Sequence, residues 1–399
     1  MPNVSLSTVL DRSIEKHIDS VRAAVHSHLA IEVGFEPAAD GRRYAHHAVK
    51  PIEREGCRVP FSEAAEGCNG SYLRAPVSLA DGSLYGTFYC FSQAPQKPRD
   101  LQVLRMCADI VGDLVREQLS LETARVRRGA CIERIIRKQE FSVVYQPIYR
   151  LSDGGLASFE ALTRFAEQPV RPPNQWLAEA AQIGLGTELE FSIVRQACTG
   201  FTSIPADVAL AVNLSPSAIL SPDFKSLFQG FPVHRIIVEV TEHEAIDNYC
   251  DVERALAPLR QCGLRLAVDD AGAGYSSFKH VLDLKPDLIK LDMSLTRAIN
   301  HDAGRRALAA ALTQFGKVIG SLIVAEGVET VAELEALRTL GVNQIQGYLV
   351  GYPGSLEEAT RVPRSCGFAT GSATHGRLAA IGRKQGRRPS APPESRSAI

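Results

Sequence analysis

From about residue 140 the chain repeats one pattern: a short apolar run, then a stretch with apolar positions three and four apart. The runs are FSVVYQPIY, LASFEAL, VALAVNL, RIIVEV, LRLAVDD, LIKLD, LIVAEGV and IQGYLV, and segments such as VERALAPLRQCG and AELEALRTLG separate most of them. Apolar strands alternating with amphipathic helices argue for an α/β fold with a parallel sheet covered on both faces. Alternation sustained over about 230 residues favours closure into a (β/α)8 TIM-type barrel. The first two runs are joined by YRLSDGG, which has no room for a helix. That pair is expected to be an antiparallel hairpin, so the barrel is a modified one with an antiparallel first strand.

Polar residues fall at the ends of these runs. Glu160 lies in SFEAL, Asn213 ends VALAVN, Glu239 lies in RIIVEV, and Asp269 and Asp270 end LRLAVDD. Lys290 lies in LIKLD, Glu326 in LIVAEGV and Gln346 in NQIQGYL. An acid inside a buried strand is costly to desolvate, whereas one at the C-terminal end reaches the barrel face on which active sites are built. One such acid is an ordinary strand cap; their recurrence along one chain points to a shared cleft.

Glu160, Glu239, Asp269, Asp270 and Asn213 form an oxygen-rich, net-negative donor set with no histidine. This suits hard divalent cations, Mg²⁺ or Mn²⁺, and weighs against zinc. Two close ions clamp a phosphate and activate water for in-line attack. Lys290 then reads as a fixed positive charge near the water or the phosphorus, or else as a lysine paired with Asp292. Arg164, four residues after Glu160, reads as a phosphate contact or as one half of a surface salt bridge.

The first 125 residues have a different texture. Residues 5–28 are helix-like, LAIEVGF and YLRAPVSLADG–SLYGTFYCFS read as strands, and Asp81-Gly82 marks a hairpin. A long helical pattern follows over about residues 101–138. Cys107, Leu114 and Leu121 fall seven apart with Leu104 and Val111 alongside, as in a short coiled-coil seam or in an amphipathic helix packed on its own sheet. The last stretch, residues 366–399, is rich in Gly, Ser, Pro and basic residues and reads as a disordered basic tail. With 44 basic against 45 acidic residues the formal charge is −1, which provides no global field for a nucleic-acid polymer. No apolar run reaches the roughly 18–20 residues of a membrane span. The beginning lacks a signal-peptide pattern, and nine scattered cysteines without a C-x-x-C spacing read as reduced thiols, so a cytoplasmic location is expected.

These residues also carry a resemblance. FEALTRF (Phe159–Phe165) is similar to the signature segment of EAL domains, which hydrolyse the bacterial second messenger cyclic di-GMP. YQPI (Tyr145–Ile148), AVNLSP (Ala211–Pro216), EVTE (Glu239–Glu242), VDDAGAGYSS (Val268–Ser277), IKLD (Ile289–Asp292), AEGVET (Ala325–Thr330) and QGYLVGYP (Gln346–Pro353) resemble the remaining motifs, in the family's order. The resemblance implies a barrel over residues 139–365 that opens cyclic di-GMP to linear 5'-pGpG with two Mg²⁺ or Mn²⁺ ions. It implies Glu160, Asn213, Glu239, Asp269 and Asp270 as metal ligands and Lys290 and Glu326 around the attacking water. Gln146, Leu162, Arg164 and Gln346 are implied at the substrate, and Glu242 and Glu329 as loop-supporting residues, with Glu329 also completing the pocket. One departure stands in that loop: Ala271-Gly272-Ala273-Gly274 replaces the family's usual Phe-Gly-Thr-Gly.

Residues 1–125, by the stretch Ser71–Val115, resemble a small GAF sensor domain, which implies regulation of the barrel by an unassigned ligand or protein partner. The long helix and the helix after the paired aspartates (Ser277–Leu284) imply a homodimer. Two other functions fit the residues less well. A catalytically silent cyclic di-GMP receptor has no need of Lys290, Glu326 and the full acid set together. A lyase acting on a phosphorylated sugar needs a late phosphate-gripping glycine loop, where only Gly347 and Gly351 are present.

Overall fold

The computed structural model describes residues 16, 18–20, 23, 32–37, 52–54, 57–59, 71–79, 82–92, 98–166, 171–240, 246, 248–271 and 276–366. Its contacts divide the chain into two compact units, Met1–Arg127 and Arg128–Ile399. The basic stretch 367–399 lies outside the described residues, and the last described residue, Cys366, is buried and donates its N–H to the Gly154 carbonyl at 2.8 Å.

The first unit contains strands β1 (Glu32–Pro37), β2 (Ile52–Arg54), β3 (Cys57–Val59), β4 (Ser71–Ser78) and β5 (Leu84–Ser92). β1, β5 and β4 form an antiparallel sheet in that order, and β2 pairs with β3. The hairpin expected at Asp81-Gly82 joins β4 to β5. Gly82 takes φ 79°, a left-handed conformation that costs glycine nothing, and its N–H closes the turn onto the Leu79 carbonyl at 3.0 Å.

The helix Pro98–Lys138 serves both units. Leu104, Ala108, Val111 and Val115 repeat at helical spacing and pack on Ala75, Val77, Tyr85 and Phe88. Leu104 and Val111, which flank the heptad stripe, therefore belong to this unit's own core, and Leu121 of that stripe is exposed. Further along, Ile132 and Ile135 are buried with Phe141, Phe165, Trp176 and Leu189 of the second unit.

The second unit is a closed eight-stranded barrel: β6 (Phe141–Arg150), β7 (Leu156–Phe165), β8 (Ala209–Asn213), β9 (Ile236–Val240), β10 (Arg265–Ala271), β11 (Leu288–Leu291), β12 (Leu322–Ala325) and β13 (Gln344–Gln346). β6 runs antiparallel to both neighbours, β7 and β13, and every other pairing is parallel. The antiparallel first strand expected from the short YRLSDGG connection is present, turning at Gly154 with φ 68°. Helices Gly186–Cys198, Tyr249–Gln261, Ser276–Leu284, Ala303–Ile319 and Val331–Thr339 cover the outside. Their ends are chemically marked: Thr330 and Glu333 form a reciprocal capping box, Asp302 caps through the Arg305 N–H, and Gly320 closes its helix at φ 82°.

Side chains along a strand alternate between the helical coat and the barrel axis. Ala211, Ile237, Ala267, Leu288 and Val324, with Ala209 and Ile148, fill a small apolar cluster of their own. Two residues beyond each of the first five stands a polar side chain: Asn213, Glu239, Asp269, Lys290 and Glu326. The same two-residue step leads from Ser158 to Glu160 and from Gln344 to Gln346.

Candidate active site

The period of two that makes the strands also builds the site. Each polar residue at a strand's C-terminal end shares the inward face of the residue one step lower, which is apolar or small in every strand but β13, where it is Gln344, so they converge above the apolar cluster. The antiparallel β6 contributes through its own register, in which Gln146 stands opposite Glu160.

Lys290 is at the centre, 1% exposed. Its ammonium lies 2.6 Å from Glu326 Oε1, 2.8 Å from Glu239 Oε2, 3.2 Å from Asp269 Oδ1 and 3.4 Å from Glu160 Oε2. Burial alone would push this amine down. The carboxylates of Asp269, Glu160, Glu239 and Glu326 outweigh burial and hold the lysine well above its ordinary range, as a permanent cation. Burial pushes the Glu239 carboxyl well above the usual carboxylate range; Lys290 opposes the shift, and Glu160 and Asp269 reinforce it. Glu326 is raised for the same reasons, burial first. The alternative partner of Lys290, Asp292, instead caps the next helix through the Ser294 N–H at 2.8 Å.

Glu160 is held from three sides. Asn213 Nδ2 donates to its Oε1 at 3.3 Å, Gln346 Nε2 donates to its Oε2 at 2.6 Å, and Lys290 faces that same oxygen. Gln346 Nε2 also donates to Gln146 Oε1 at 3.0 Å, and Gln146 Nε2 donates to the Gly351 carbonyl at 3.2 Å. Gln346 Oε1 is buried and finds no hydrogen-bond partner in the protein.

Asp269 and Asp270 are adjacent, and in a regular strand their side chains would face opposite ways. β10 carries an irregularity between Val268 and Ala271, and Asp270 adopts φ 57°. Aspartate tolerates the left-handed region better than most residues, and a bulge re-aims a side chain beside a functional site. The result is a second acidic group. Oxygens of Glu160, Glu239 and Asp269 lie within 4.8 Å of one another, and so do oxygens of Asp269, Asp270 and Glu326. Two oxygen-only donor sets share Asp269. Their composition fits hard divalent cations, with Asn213 and the unpartnered Gln346 oxygen adjoining the first set.

The remaining expected residues divide. Leu162 is half-buried on β7, and Arg164 is exposed, its Nη1 donating to the Thr163 carbonyl at 2.8 Å. Glu329 is exposed, and its Oε1 accepts from Arg297 Nη2 at 2.7 Å rather than from a residue of the acid cluster. Glu242, Gly272, Ala273 and Gly274 lie outside the described residues. Two supporting acids are absent from the set expected from sequence. Glu190 accepts from Ser215 N at 2.7 Å and Ser215 Oγ at 2.8 Å, fixing the turn after Asn213. Glu333 accepts from the Ala298, Glu329 and Thr330 N–H groups, bracing the segment after Glu326. Glu190 lies in an amphipathic helix and gives no local signal, whereas Glu333 is marked by its Thr-x-x-Glu spacing.

The EAL domain family profile matches residues 130–353. A solved structure of the PaMucR phosphodiesterase in complex with cyclic di-GMP superposes with a TM-score of 0.53 at 27% identity, over 58% of this chain and 99% of that one. An uncharacterized protein of Sinorhizobium fredii is 32% identical over 84% of this chain and 41% of its own length. The probable cyclic di-GMP phosphodiesterase PdeN of Escherichia coli is 29% identical over 60% of this chain and 49% of its own. The chain thus spans less than half of either curated relative.

Proposed function

Because this chain belongs to the EAL-domain family, we propose that it is a metal-dependent phosphodiesterase that opens cyclic di-GMP to linear 5'-pGpG. The observation that carries this reading is the buried contact of Lys290 with Glu160, Glu239, Asp269 and Glu326 at the mouth of the barrel. Recognition of a nucleotide alone needs neither a fully buried lysine nor so many acids around it.

Glu160, Asn213, Glu239 and Asp269 would hold one divalent ion, Mg²⁺ or Mn²⁺, and Asp269, Asp270 and Glu326 a second. Such ions neutralise the phosphate and make water a nucleophile near neutral pH. The protein's own part is orientation and charge. Water attacks phosphorus, the bond to one ribose 3'-oxygen breaks, and that oxygen leaves with a proton. Lys290 stabilises charge developing on the phosphoryl oxygens, and Glu326, within 2.6 Å of it, is placed to steer the attacking water. Gln146 and Gln346 form an amide wall on the β6–β13 side, where the free Gln346 oxygen offers an acceptor to ligand or water. Arg164, exposed near the end of β7, would serve as a phosphate contact.

Residues 1–125 are read as a GAF-like sensor that regulates the barrel, and the active form as a cytoplasmic homodimer. Among the described residues no helix is long and apolar enough to cross a membrane. The test is incubation of the purified chain with cyclic di-GMP and Mg²⁺ or Mn²⁺, with chromatographic identification of products. Linear 5'-pGpG is the expected outcome. Tight binding with intact nucleotide in both metals would establish a receptor instead.

A further inference from the structure

We infer that Lys290 has a second role besides catalysis: it is the resident counter-cation of the acidic site, which supports the barrel without metal and which an incoming metal must displace from shared carboxylates. The inference rests on the metal assignment proposed above and is independent of the substrate.

The geometry carries it. One ammonium group lies between 2.6 and 3.4 Å from oxygens of four different acids, on β7, β9 and β10 and just after β12. Glu160, Glu239 and Asp269 are each less than a tenth exposed, so water does little to screen them from one another. Like charges brought this close in a low-dielectric interior repel strongly, and a single central cation offsets every pair at once. Those three acids are also the ones whose oxygens gather within 4.8 Å as a candidate metal set. A divalent ion entering there meets oxygens already engaged by the lysine. Ammonium and metal therefore draw on the same carboxylates, and binding of one weakens the hold of the other. A purely catalytic lysine, acting only on the transition state, would leave both metal affinity and metal-free stability unchanged.

The experiment compares the full chain with Lys290→Met, each stripped by chelation, through thermal unfolding with and without Mn²⁺ and calorimetric titration with Mn²⁺. Metal-free Lys290→Met is expected to melt about 10 °C below the parent. Saturating Mn²⁺ should close most of that gap, and the variant should bind Mn²⁺ about tenfold more tightly or better. Adding Glu239→Gln to the variant removes one uncompensated carboxyl and should recover part of the lost metal-free stability. Folding of Lys290→Met only in the presence of Mn²⁺ would be the same result in stronger form. Equal melting temperatures, or unchanged or weaker metal affinity, overturn the inference. So does a variant that fails to fold with and without metal, because no cation then replaces the lysine. A parent protein that binds no Mn²⁺ would sink the metal assignment itself, which separates that failure from this one.

Discussion

The barrel interior contains two layers one strand step apart with opposite chemistry. The lower layer is Ala211, Ile237, Ala267, Leu288 and Val324; the upper is Asn213, Glu239, Asp269, Lys290 and Glu326. The strands are the same, and Glu239, Asp269 and Lys290 are buried like the layer below, while Asn213 and Glu326 are half-buried. The lower layer is satisfied by packing alone, so its worth appears as stability. The upper layer holds more acids than one lysine neutralises, so its acids are costly to the fold and their worth lies in binding and chemistry, while Lys290 offsets part of that cost. Position along the strand, not depth, separates scaffold from site.

Substitutions in the two layers should therefore fail differently. The largest effect is expected from Glu160→Ala. It should lower turnover by about a thousandfold or more and weaken metal binding, while the melting temperature stays within a few degrees, because a carboxylate leaves a crowded acidic cluster. Product chromatography beside thermal unfolding checks both halves; turnover within a few-fold of the parent would break the division into layers. Next, exchange of Mg²⁺ or Mn²⁺ for Ca²⁺ should leave cyclic di-GMP bound and uncleaved. Ca²⁺ prefers longer, irregular coordination and polarises water less. Lys290→Met should likewise lower kcat, by about a hundredfold or more, with a smaller change in nucleotide affinity. Cleavage at undiminished rate in Ca²⁺ would exclude metal-activated water.

In the lower layer Leu288→Ala should cost about 2–5 kcal/mol by denaturant unfolding while each folded molecule keeps most of its activity. A loss of turnover as large as that of Glu160→Ala, with stability intact, would show that the two layers are not separable. The smallest effect belongs to Arg164→Ala. An exposed arginine bound to its neighbour's carbonyl contributes little to the fold, so a change of about tenfold or less in KM is expected, with kcat and melting temperature nearly unchanged.

Much of the upper layer is legible in the amino-acid sequence, because a polar residue inside an apolar strand is an anomaly that burial must explain. Glu160, Asn213, Glu239, Lys290 and Glu326 each break a run of hydrophobic residues. Glu190 is not legible there: an acid on an amphipathic helix is normal, and only the fold brings it to Ser215. Glu329 sits in a motif next to Glu326 yet pairs with Arg297 at the surface, because the chain turns away after β12. The heptad stripe on the helix Pro98–Lys138 is ambiguous for a related reason. A spacing of seven fits both a partner helix and the helix's own sheet; Leu104 and Val111 beside the stripe are buried on the sheet, while Leu121 of the stripe is exposed.

The sequence by itself determined the barrel, its antiparallel first strand and the strand ends at which the polar residues stand. These are consequences of local rules: a period of two in strands, helical spacing between them, and a loop too short for a crossover. Only the tertiary structure decided how those residues meet. Asp269 and Asp270 serve one site because β10 is irregular there and Asp270 accepts a left-handed backbone. Lys290 faces four acids because barrel closure brings β11 together with the ends of β7, β9, β10 and β12. Distances between residues as far apart as Gln146 and Gln346, 200 positions, depend on how a sheet closes, and no window of sequence contains them.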